Sequence, residues 1–207
     1  MNKSYKETRR SFIKKSTTGT ASLLMAPGIF SFNLSEIKAE PEMGKLPSED
    51  EKFMFAGFAE ADITPEIGME QPGGYGKAYH RTFHDPCKVR VAVFDDGKNP
   101  AAIVGIDAIS IPRSLVLSVR KQVEARCNIP GNSILIAASH SHSSGPLGVM
   151  PGEFDHADEL VKHLAYEKSI TTNPEYYAHV EKSLIESICK AYNSRINSQV
   201  GVGKGFE

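Results

Sequence analysis

Three observations predict an α/β or α+β domain built on a mixed β-sheet flanked by helices. Short apolar runs with period-two alternation recur along the chain. Segments with helical apolar spacing are interleaved among them. Turns containing Gly or Pro separate successive segments. The chain has 207 residues, about one domain of ordinary size or a little more. Apolar residues make up 40% and charged residues 24%, which excludes long-range disorder and a polytopic membrane protein.

The foldable part is expected to start near Phe53. Phe55–Ile63 (FAGFAEADI) alternates large and small residues and stops at Thr64-Pro65, as a first strand would. Glu66–His80 is Gly-rich, with Pro72-Gly73-Gly74-Tyr75-Gly76 at its centre, and reads as a long loop of functional interest. Val89–Phe94 and Ala101–Ile106 flank the turn Asp95-Asp96-Gly97 and predict a hairpin with one buried face. Pro112 opens a helix through Arg126, with Leu115, Val116, Val119 and Val123 at helical spacing. Asn128-Ile129-Pro130-Gly131 breaks it. Ser133–Ala138 (SILIAA) is a short, largely apolar run and reads as a central strand. Helices are expected over about 156–168 and 174–194, with Tyr176-Tyr177 packing the second against the sheet. Another strand is expected from Gln199. The chain stops at Glu207 in what looks like the middle of a strand and its turn, so an incomplete N-terminal portion of a larger domain is expected.

Charge divides the chain unevenly. Residues 1–39 hold seven Lys/Arg against two Asp/Glu, whereas the remainder carries a net of −6. A body that acidic argues against nucleic acid as a partner, since phosphate binding needs a positive field. Thr8-Arg9-Arg10-Ser11-Phe12-Ile13-Lys14-Lys15 has the layout of a twin-arginine export signal. The following Ser16–Phe32 is too short and too diluted with Thr and Gly for a membrane span. Residues 1–39 are therefore assigned to a signal segment, 40–52 to a polar linker and 53–207 to the body. The expected address is periplasmic or extracellular, the export machinery is an expected partner, and no transmembrane span is expected in the mature chain. Cys87, Cys127 and Cys189 match no zinc-ribbon spacing. They are read as three buried small apolar residues, with one bridge left open if the protein is exported.

The chemistry is expected after the SILIAA strand, in Ser139-His140-Ser141-His142-Ser143-Ser144-Gly145-Pro146. Histidines at i and i+2 of an extended segment share a side, so their imidazoles can approach one point. Neutral imidazole is a good zinc ligand, and the carboxyl edge of a sheet is where open α/β folds place their sites. The Ser-Ser-Gly-Pro turn, with Ser144 and Gly145, offers backbone N–H groups to an oxyanion. A solvated or hydrogen-bonded pair of loop histidines is the competing reading. Asp107, at the end of Ala101–Ile106, is either a partner that orients a histidine or a cap before Pro112. His84 either reaches the site or sits on a surface His-Asp-Pro turn. His156, His163 and His179 lack metal spacing and read as surface or satisfied side chains.

Ala61-Asp62-Ile63-Thr64-Pro65, Pro72-Gly73-Gly74-Tyr75, His84-Asp85-Pro86, Val104–Asp107 and Ser139–Pro146 occur in an order that resembles the N-terminal part of the neutral/alkaline ceramidase family. The likeness covers about residues 55–207. The family segment reads Thr-His-Thr-His-Ser-Gly-Pro. Here Ser replaces both threonines and one extra Ser precedes Gly145. The resemblance implies a zinc-dependent amidase that cleaves N-acyl-sphingosine, or a related amide, to a fatty acid and an amine. It implies His140 as a metal ligand and His142 as a catalytic group near the reacting water. A further His, a Glu and a Tyr would complete the zinc set beyond Glu207, and this stretch alone would then be inactive. Other metallohydrolases fit less well. One class needs Asp-His soon after His-x-His, where Ser143-Ser144-Gly145 stands; another places the motif on its first strand. A non-catalytic exported binding domain with structural histidines is the alternative from a different functional class.

Overall fold

The computed structural model describes residues 54–201 and 205. The signal segment and linker assigned to 1–39 and 40–52 lie outside the described residues. Five strands form one mixed sheet: β1 (Met54–Asp62), β2 (Lys88–Asp95), β3 (Ala101–Ile106), β4 (Ile134–Ala138) and β5 (Ile196–Ser198). Their spatial order is β4-β3-β2-β1-β5. β1, β2 and β3 run antiparallel in turn, β5 is antiparallel to β1, and β4 is parallel to β3. The crossover from β3 to β4 carries α1 (Arg113–Cys127), as a parallel pair requires.

Local chemistry sets these bounds. β1 stops where Asp62 Oδ1 accepts the Thr64 N–H at 2.8 Å, a turn that competes with the strand ladder. The Thr64 side chain first, then this backbone bond, hold the Asp62 carboxyl below its usual value. α1 starts after Pro112 and ends at Asn128, which takes the left-handed conformation (φ 58°) that closes many helices. α2 (Glu159–His163) begins where the Asp158 carboxylate caps the Val161 N–H and passes into a π-helical turn, Leu164–Lys168. α3 (Pro174–Asn193) begins with Asn173 capping Tyr176 and Pro174 in its first turn.

The core lies on one face of the sheet. Val89, Val91, Val93, Val104, Ile106, Ile134 and Ile136 meet Leu115, Val119 and Val123 of α1 and Val180, Leu184 and Ile188 of α3. Tyr176 is buried there as expected, and its hydroxyl donates to the Ile63 carbonyl at 2.8 Å. Burial pushes that phenol well above its ordinary pKa, so it stays a neutral donor.

Three expectations need correction. β4 is an edge strand among the described residues, not a central one. Its residues alternate buried and exposed, with Leu135 at 56% exposure. Ile134–Ala138 is apolar throughout because the uncovered face also carries an apolar row, in which Phe58, Ala92, Ile103 and Leu135 lie side by side. The last strand among the described residues is Ile196–Ser198, which starts three residues before Gln199 and is only three residues long. The cysteines are not all free: Cys127 and Cys189 form a disulfide joining the end of α1 to α3, while Cys87 is free and buried.

Candidate functional site

The histidine motif leaves the sheet where β4 ends, beside the continuation of β3. Backbone bonds run Ser139 N–H to the Ile106 carbonyl (3.0 Å) and Ser141 N–H to the Ala108 carbonyl (3.1 Å). Between these pins His140 takes φ 61°, the left-handed region that non-glycine residues occupy rarely. The segment is thus kinked, and strand alternation is not what brings the rings together. The kink does so: the imidazoles of His140 and His142 stand 5.2 Å apart, edge to face.

His140 Nδ1 lies 2.8 Å from the Ile109 carbonyl oxygen. A carbonyl only accepts, so Nδ1 carries the hydrogen and the neutral ring presents its lone pair at Nε2. Metal-binding histidines are commonly oriented in this way. The strained backbone, the two pins and the Ile109 bond together fix one ring nitrogen towards the outside.

Both rings line an open cleft of about 360 Å³ whose other walls include Pro72, Gly73, Tyr75, Ile109 and Ile170. A second cleft, of about 490 Å³, lies beside it and takes in His80, Phe83, His84, Asp85 and Asp107. The sequence-predicted residues are therefore divided. His140 and His142 share the first cleft. Asp107 and His84 line the second.

Asp107 does not orient either histidine. Its carboxylate accepts from the Lys88 N–H (2.9 Å), Arg90 (3.3 Å) and the Ser139 hydroxyl (3.4 Å). It therefore braces β2 against the residue before His140, and the orienting acceptor is Ile109. His84 is almost wholly exposed and pairs with Asp85 at 2.8 Å. Ser144 and Gly145 are buried. The Ser144 hydroxyl donates to the Ser141 carbonyl (2.9 Å), closing the turn. Gly145 packs flat on the Tyr176 ring, where any Cβ would overlap it. Both shape the turn. Of the remaining histidines, His163 pairs with Glu167 on the helix surface (2.9 Å) and His179 bonds the Asp62 carbonyl (3.1 Å).

Sequence reasoning missed His80. It is buried, donates from Nε2 to the Ser144 carbonyl at 2.8 Å and stacks on Phe83. It also missed Ile109, whose contribution is a main-chain oxygen with no sequence signature. Cys87 faces the second cleft, but burial first, then the Asp107 and Asp62 carboxylates, push its thiol up and leave it a poor nucleophile. Among the described residues no three His, Cys, Asp or Glu side chains gather as a metal set.

In sequence the chain matches no protein-family model and no curated protein. Its fold is similar to the crystal structure of neutral ceramidase from Pseudomonas aeruginosa, with TM-score 0.54 and 19% identity over 72% of this chain and 23% of that one. It is also similar to a ceramidase complexed with C2, with TM-score 0.52 and 18% identity over 71% of this chain and 22% of that one. This chain thus spans less than a quarter of the length of either structure. The described residues have a ceramidase-like fold.

Proposed function

We propose that this chain carries two imidazoles of a zinc-dependent amide hydrolase that cleaves N-acyl-sphingosine, or a related lipid amide, to a fatty acid and an amine. The observation that carries the reading is the Nδ1–Ile109 bond of His140, which in the neutral ring puts the lone pair on Nε2, at the wall of a cleft. That donor chemistry suits zinc. A tight site needs further donors, and the ceramidase-like fold is the reason to expect them from chain outside the described residues.

His140 would hold the metal. Zinc, when bound, supplies Lewis-acid polarisation of the amide carbonyl. His142, whose ring stands 5.2 Å from that of His140, would take a proton from the attacking water and return it to the leaving amine. The kink and its backbone pins keep the two rings in register, so little reorganisation is needed as charge develops. Apolar surface at Pro72, Ile109, Ile170 and Tyr75 would suit an acyl chain.

Export through the twin-arginine route belongs to the same proposal. Two features support it: the Arg9-Arg10 motif and the Cys127–Cys189 bridge, which needs an oxidising compartment to persist. No described helix is long and apolar enough to cross a membrane.

The test is hydrolysis of an N-acyl-sphingosine by protein made from the complete natural gene. Turnover that a chelator abolishes and zinc restores supports the proposal. Turnover indifferent to chelation rules out the zinc scheme. Reversible binding of the amide without cleavage favours the exported binding domain instead.

A further inference from the structure

We infer that Glu70 is a positioning residue for His142, acting through the hairpin that carries Gly73. This deepens the proposed function, since it concerns the ring assigned there to proton transfer. Residues 68–80 are not a structureless loop. Gly68 N–H donates to the His80 carbonyl (2.9 Å), His80 N–H to Met69 (2.9 Å) and Gln71 N–H to Ala78 (2.8 Å). Glu70 and Tyr79 pair as an antiparallel bridge.

The Glu70 side chain is only 18% exposed, and four bonds converge on its carboxylate. Lys77 Nζ reaches both oxygens at 2.8 and 2.9 Å. The Thr171 N–H and hydroxyl donate at 2.8 and 2.7 Å. Thr171 in turn belongs to a segment laced to Val149, which lies shortly beyond the histidine motif in the chain. One carboxylate therefore locks the hairpin to chain that continues from His142.

At the hairpin tip, Gly73 has φ +99° and lies so close to the His142 ring that a Cβ there would overlap it. Gln71 Nε2 donates to the His142 carbonyl at 3.2 Å. The ring thus abuts a glycine backbone and meets the His140 ring edge to face. Glu70 touches neither ring. It sets where Gly73 stands, and Gly73 limits how His142 can turn.

The experiment compares the parent with Glu70→Ala, Glu70→Gln and Lys77→Met, all in the protein from the complete natural gene. The histidines are labelled for imidazole NMR, and His142 is assigned with His142→Asn. Circular dichroism reports folding. In folded Glu70→Ala, the His142 ring resonances shift or broaden while those of His163 and His179 stay in place. Glu70→Gln, which keeps an acceptor for Thr171, recovers most of the parent position. On an N-acyl-sphingosine, kcat falls by about tenfold or more in Glu70→Ala with KM little changed. If Glu70→Ala fails to fold, Lys77→Met reads the same ring with half of the clamp intact, and the same displacement is expected. An unmoved His142 resonance in a folded variant overturns the inference, whatever the activity. A displaced resonance in a protein that neither binds zinc nor cleaves amides upholds the positioning role and defeats the enzymatic reading alone.

Discussion

His140 occupies a backbone conformation that costs a non-glycine residue about 1–2 kcal/mol. Its side chain recovers part of that through the Ile109 carbonyl. Strain of this kind is tolerated where the surroundings over-determine a position, often at functional sites. His140→Gly is therefore expected to be more stable than His140→Ala by about 1 kcal/mol in urea denaturation, because glycine accepts the positive φ freely. Equal stabilities would mean that the kink is not strained. Glu70 gives a pH dependence. Burial alone would raise its carboxyl, but the bonds from Lys77 and Thr171 outweigh burial and hold it below the ordinary carboxylate value. A depressed folded-state value contributes stability that is fully present above the unfolded value of about 4.3 and is lost as pH falls through the lower folded value. Amide hydrogen-exchange protection of residues 69–80 should accordingly drop on acidification below about pH 4, before that of β2 and β3.

At the scale of elements, α1 shows how pattern becomes packing. Leu115, Val119, Val123 and Cys127 recur every four residues, and all are buried. Leu115→Ala should cost about 2–5 kcal/mol by chemical denaturation. Leu117→Ala, at a site 48% exposed, should cost far less; similar losses would mean that the helix faces the other way. The Cys127–Cys189 bridge closes a span of 62 residues, and by loop-closure entropy its removal should cost about 4 kcal/mol. Unfolded, unreduced protein should titrate one thiol, that of Cys87, and reduced protein all three. Three thiols without reductant would contradict the bridge. Its pairing was not legible in the sequence, because it depends on α1 and α3 lying side by side. β1 to β3 and α3 were legible, since alternation, turn residues and caps agree along them. The place of β4 was not. An unbroken apolar run reads as central when both sheet faces are apolar, whether or not a further strand lies beside it.

Across the whole molecule, the sheet, the two helices on its core face and the 69–80 hairpin converge on the carboxyl end of β4. The position of the histidine motif at that end was legible, because an apolar strand followed by His-x-His names its own edge. The division of the polar residues into two clefts was not, since Asp107 and His84 are near the motif in the fold but are turned to other partners. Nor was the Ile109 acceptor, because every residue carries a carbonyl. The central claim is that His140 Nε2 binds zinc. Its most direct test is the metal content of protein from the complete natural gene, purified after zinc loading and exhaustive dialysis, for the parent and His140→Ala. The account predicts one zinc per parent chain and a large loss in the folded variant. A parent without tightly held zinc, or a variant that keeps a full equivalent, would contradict it.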